Sequence, residues 1–121
     1  MMRILLMAMA AMLFWPAALS ARDTREQQRI DYLLQSLTSL KGAVFIRNGT
    51  EYDAAKARAH LESKLAYGGE GVKTAEQFIT YCATQSSMSH KPYQIRLSDG
   101  RTVTSATFFI GKLKEYDERA H

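Results

Sequence analysis

Arg47-Asn48-Gly49-Thr50-Glu51-Tyr52 sets a guanidinium, an amide, a carboxylate and a phenol within six consecutive residues. An apolar run ends there, a glycine turn follows, and a helix is expected to begin. Unpaired N–H groups at that helix start would favour an anion or carboxylate docked beside them. The plainer reading, an ordinary strand-to-helix turn, is preferred, because one glycine is far from a phosphate loop. His60 and Lys64 stand one helical turn apart. Cations at i and i+4 repel slightly, which depresses a histidine's proton affinity and could tune a base. A hydrogen-bonded structural histidine beside a snorkelling lysine fits the same pattern and is preferred.

Ser86, Ser87 and Ser89 form a hydroxyl-rich loop. One of them could bind a ligand, or act as a nucleophile if His60 came near. Neither Gly-x-Ser-x-Gly nor Ser-x-x-Lys occurs, since Ser87 is followed three residues later by His90 and Ser89 by Pro92. The serines are expected instead to satisfy helix-end carbonyls and turn backbone. His60, His90 and His121 show no metal-ligand spacing, so neither a metal nor another cofactor is expected. Cys82 has no partner for an internal disulfide and reads as a small buried hydrophobe near Phe78 and Ile79.

The elements that must position these groups follow from periodicity. Asp23 and Glu26 have capping-box spacing, and Ile30, Leu33, Leu34, Leu37 and Leu40 recur at helical period, predicting a helix over about 23–40. Ala43-Val44-Phe45-Ile46 reads as a strand, stopped by Arg47-Asn48-Gly49. Thr50 is expected to cap a second helix running to about Tyr67. Ala54, Ala57, Leu61 and Leu65 form one stripe on it, and Tyr52, Ala55, Ala59 and Ala66 another. Two stripes suggest a helix squeezed between neighbours. Thr74 and Gln77 open a third helix to about Gln85. Tyr93 to Leu97, the Asp99-Gly100 turn and Thr102 to Thr104 predict a hairpin, and Ser105 a cap for the last helix. The fold class is α+β: a small, antiparallel-rich sheet of one strand plus a hairpin, covered by about four helices.

The start of the chain reads differently. Met1-Met2-Arg3 is basic, Ile4 to Leu19 is apolar, and the run closes in Pro16-Ala17-Ala18-Leu19-Ser20. This is the pattern of a signal peptide over residues 1–20, cut after Ser20 or Ala21. It leaves residues 21–121 as a single small domain. The run is short of the ~20 residues a bilayer span needs, so no stable membrane span is expected after cleavage. The whole chain of 121 residues carries a formal charge of +4. Arg22, Arg25 and Arg29 sit among Asp23, Glu26 and Asp31, which suggests a solvated mixed surface. No basic run is interleaved with stacking aromatics, so nucleic acid is not expected as a partner. Multi-domain enzymes, polytopic membrane proteins and disulfide-stapled miniproteins are excluded by size and composition.

Several strings then line up in order: Phe45 to Tyr52, Ala59-His60-Leu61 with Lys64-Leu65, Thr74 to Ile79, Ser86-Ser87, and Lys91-Pro92-Tyr93. Together they resemble the YfeK-like family of short exported bacterial proteins of unknown function. The similarity covers about residues 25–97 and takes in the leader. It implies a periplasmic location in a Gram-negative bacterium and supplies no activity, so no catalytic residue is carried over. The family string usually has glycine before Lys-Pro-Tyr, where this chain has His90.

The matched residues are notably polar. The expectation is that Arg47, Asn48, Glu51, Tyr52, His60, Lys64, Ser86, Ser87 and Tyr93 contribute to one shallow ligand-binding pocket between the strand end and the serine loop. The functional expectation is a non-enzymatic periplasmic domain that binds a small ligand or an envelope partner. The alternatives are a small hydrolase or transferase using His60 with Ser86 or Ser87, and a structural envelope module.

Overall fold

The computed structural model describes residues 22–120; the expected leader lies outside them, as does His121. The first helix, α1 (Thr24–Thr38), starts where its capping pair predicts, with the Asp23 carboxylate accepting from the Glu26 N–H at 2.9 Å. Its apolar face of Ile30, Leu33, Leu34 and Leu37 is buried. Each such side chain contributes about 1.5–3 kcal/mol of burial free energy.

Two hairpins follow in space. Strands β1 (Val44–Arg47) and β2 (Thr50–Tyr52) pair antiparallel, and so do β3 (Gln94–Arg96) and β4 (Thr102–Thr104). Strand β1 also pairs with β3, giving a four-stranded antiparallel sheet of order β2-β1-β3-β4. The expected single strand plus hairpin is therefore two hairpins. Thr50 opens a strand rather than capping a helix. Asn48 and Gly49 have φ of 53° and 78°, and Arg47 pairs directly with Thr50 across them. Two consecutive left-handed residues make a two-residue hairpin turn, for which Asn-Gly is a favoured pair.

Helix α2 (Ala54–Gly68) begins one step later, with Asp53 accepting from the Lys56 N–H. It lies against α1, β1 and the segment 79–83. Leu61 is buried, Ala54, Ala57 and Leu65 are half-buried, and Ala55, Ala59 and Ala66 are exposed. The second stripe is thus not squeezed against a neighbour, since alanines there cover too little apolar surface to recruit one.

Helix α3 (Ala75–Phe78), capped by Thr74, widens into a π-helical turn over Ile79–Ala83. The last helix, α4 (Ser105–Arg119), is capped by Thr104 and not by Ser105: the Thr107 N–H donates to Thr104 Oγ1. Phe78 of α3 meets Phe109 of α4 edge-on, with ring centroids 6.1 Å apart.

The helices cover one face of the sheet. Phe45, Tyr52 and Ile95 share that face through direct cross-strand pairing. Ile46, Glu51, Gln94 and Arg96 alternate to the other, where Arg96 donates to Glu51 at 3.0 Å. One packed face and one wet face is a usual antiparallel arrangement.

The basic and acidic residues near the start of α1 are not all a solvated surface, and Arg29 is the correction. Its side chain is 5% exposed and bridges three carboxylates, Glu26, Glu76 and Asp117, at 2.7–2.9 Å. Glu26 in turn accepts from the Ala75 N–H. The node joins α1, α3 and α4.

Candidate functional site

The β1–β2 turn delivers Arg47 beside the second turn of α2. Its Nη1 stands 3.3 Å from His60 Nδ1. A guanidinium only donates, so Nδ1 accepts and the imidazole proton sits on Nε2. That N–H donates to Tyr93 Oη at 2.9 Å. Lys64 Nζ donates to the same oxygen at 3.0 Å and to the Gln85 carbonyl at 3.0 Å. With two donors already on Tyr93 Oη, the phenol's own proton is left to donate elsewhere. Burial lowers the His60 pKa below its usual value, and the charges of Arg47 and Lys64 lower it further. The Lys64 effect read from i, i+4 spacing is real, and it comes third.

Arg47, His60 and Tyr93 of this chain form part of the wall of a cavity of about 350 Å³ between α2 and the sheet. Leu37, Phe45, Leu61 and Ile95 give it apolar lining; Arg47 and Lys56 give it cationic groups, and His60 an imidazole. Tyr52 and Tyr93 line it as well, and the Arg47 guanidinium lies 5.9 Å from the Tyr52 ring centroid. The first residue of α4, Ser105, closes one side, its N–H bonded to the Tyr93 carbonyl at 2.9 Å.

The other anticipated residues gather elsewhere. Ser86 is buried, and its Oγ accepts from the N–H groups of Met88 and Ser89, both at 3.3 Å, and from Asn48 Nδ2 at 3.4 Å. Ser89 Oγ donates to Asn48 Oδ1. This cluster ties the β1–β2 turn to the loop before β3. Ser87 lines a separate cleft, with His60, Lys64, Tyr67, Tyr81 and Cys82 along it. Glu51 stands on the opposite face of the sheet, paired with Arg96.

The structure therefore joins Arg47, Tyr52, His60, Lys64 and Tyr93, and sets Asn48 and Ser86 apart as a loop clasp. Among the described residues no hydrogen bond links His60 to Ser86 or Ser87. Lys56, Ser63 and Ser105 line the cavity and were not anticipated. For Lys56 a signal exists, since it precedes His60 by one helical turn. Ser105 carries none, because only the meeting of β3 and α4 brings it here.

Among the described residues no group of three His, Cys, Asp or Glu side chains could hold a metal ion, and no helix is long and apolar enough to cross a membrane. Cys82 is a buried free thiol whose pKa burial pushes up.

Comparison with known proteins agrees with the strings picked out above. The chain is 35% identical over 92 residues to the uncharacterized protein YfeK of Salmonella typhimurium (strain LT2), covering 76% of this chain and 77% of that one. No solved structure matches it. Residues 24–117 match the family of unknown function DUF5329, a stretch that contains every residue of the cavity wall, and the chain belongs to that family.

Proposed function

We propose that this protein is a non-enzymatic, periplasmic binding domain for a small ligand held in the cavity between α2 and the sheet. The observation that carries the reading is the cavity itself: about 350 Å³, lined by core apolar side chains together with a few polar groups. That is within the range of small-molecule sites, in which a few polar groups orient a mostly apolar ligand. The compartment rests on the leader pattern of residues 1–20 and on the resemblance noted from sequence. A hydrolase or transferase would need an imidazole nitrogen facing a nucleophilic serine. Both nitrogens of His60 are turned to Arg47 and Tyr93, and Ser86 Oγ serves the backbone of its own loop.

Native mass spectrometry of the protein isolated from a periplasmic extract tests this. The expected spectrum shows a discrete small-molecule adduct that is lost in Ala57→Leu, a substitution that fills the cavity from its helical wall while preserving helix propensity. Recovery from the cytosolic fraction, or an adduct-free protein, would contradict the reading. An adduct of protein mass would favour an envelope partner instead.

A further inference from the structure

The cavity's charge is one-sided. Lys56 and His60 stand one turn apart on α2 and line the cavity, with Arg47 facing His60 from β1; Lys64, one turn further on, lines the neighbouring cleft. No Asp or Glu lines the cavity. Among the described residues Arg47, Lys56 and Lys64 make no ion pair, although the remaining salt bridges of the molecule are spread over all four helices and two strands. Two cations, Arg47 and Lys56, on a half-enclosed wall without a lining carboxylate favour a counter-charge there.

A second observation points the same way. Ser105 is 4% exposed and lines the cavity, yet its hydroxyl has no hydrogen-bond partner among the described residues. A buried hydroxyl left unpaired costs about 1–3 kcal/mol, so a polar ligand atom within its reach would be stabilised. Tyr93 adds a phenolic proton that its two donors leave free. Arg47 spends one N–H on His60, and the rest of its fork remains for a carboxylate or similar planar anion.

The apolar lining sets the rest of the ligand. Leu37, Phe45, Leu61 and Ile95 are core residues that reach the cavity surface. A compact inorganic anion would leave this surface against water, whereas an apolar body would cover it. Building on the reading of the cavity as a ligand site, we propose that its ligand is a small amphipathic carboxylate. The apolar body packs on Phe45, Leu61 and Ile95, and the anionic head lies among Arg47, Lys56 and His60.

Isothermal titration of the purified protein with octanoate, octanol and octylammonium reads this directly. Octanoate is expected to bind about tenfold more tightly than octanol, and octylammonium to give no heat. Arg47→Gln should weaken octanoate about tenfold and leave octanol unchanged, as loss of one charge-assisted hydrogen bond implies. Lys56→Gln, in the first turn of α2 and without an ion pair, is a second variant that does not disturb the Arg47–His60 contact; it should weaken octanoate several-fold. Equal affinity for octanoate and octanol, or indifference to both substitutions, overturns the carboxylate assignment while the cavity reading stands. Silence from all three probes also overturns the assignment; the wider reading is then decided separately by the adduct seen in native mass spectrometry.

Discussion

His60 has a defined tautomer because of its two neighbours. Arg47 can only donate to Nδ1, so protonating that nitrogen would set an N–H against a guanidinium. The sign of the pH effect follows. The folded protein binds the His60 proton less readily than the unfolded chain, whose imidazole titrates near 6.5. The stability His60 contributes is therefore full above about pH 6.5 and declines as pH falls through that value toward the lower folded pKa. Arg47→Gln removes one of the charges that depress this pKa. The imidazole titration followed by NMR should move upward in that variant, and an unchanged midpoint would deny the contact its electrostatic role. Glu76 acts in the same sense, in a more acidic range. Its hydrogen bonds from Arg29 hold its carboxyl below the usual range, so its contribution is present at neutral pH and is lost as acid protonates it.

At the scale of elements, the β1–β2 hairpin determines where the site is. It turns on Asn48 and Gly49, and the same turn carries Arg47 to His60 and Asn48 to Ser86. Gly49 has φ of 78°, so Gly49→Ala should cost about 1 kcal/mol or more in urea denaturation. It should also weaken ligand binding, because it disturbs the strand end that presents Arg47; full stability in this variant would show that the turn is not constrained. Asn-Gly was legible as a turn, but the tripeptide Thr50-Glu51-Tyr52 is too short to show a period, so the returning strand of this local hairpin was read as the start of the helix. The first helix was readable almost to the residue, because its cap and its apolar face agree. The second stripe on α2 misled, because alanine periodicity marks a helix face without saying whether anything covers it.

On the scale of the whole molecule, two polar constructions divide the labour. The Arg29 node fastens α1, α3 and α4 on one side; the cavity lies across the seam between α2 and the sheet on the other. Arg29→Met takes the buried cation from three carboxylates at once and leaves buried Glu26 with only the exposed Arg25 and the Ala75 N–H, so it should cost about 3 kcal/mol. Glu76→Gln, whose carboxylate is largely exposed, should cost roughly 1 kcal/mol or less. Chemical denaturation of the two variants checks the ranking, and equal losses would place the node at the surface in energetic terms. Neither Glu76 nor Asp117 could be assigned to Arg29 from sequence, since they lie 47 and 88 residues away. The polar residues of the candidate site were visible as types. Their division into a cavity wall, a loop clasp and the lone Glu51 on the far face depends on strand alternation and on the meeting of β1, α2 and β3.

Amide chemical-shift mapping on the labelled protein tests the central claim most directly, with octanoate added as the probe. The account predicts perturbations concentrated at Arg47, Ala57, His60, Tyr93 and Ser105, at the seam of α2 and the sheet. Shifts confined to the neighbouring cleft around Tyr67 and Tyr81, or none at any concentration, would contradict it.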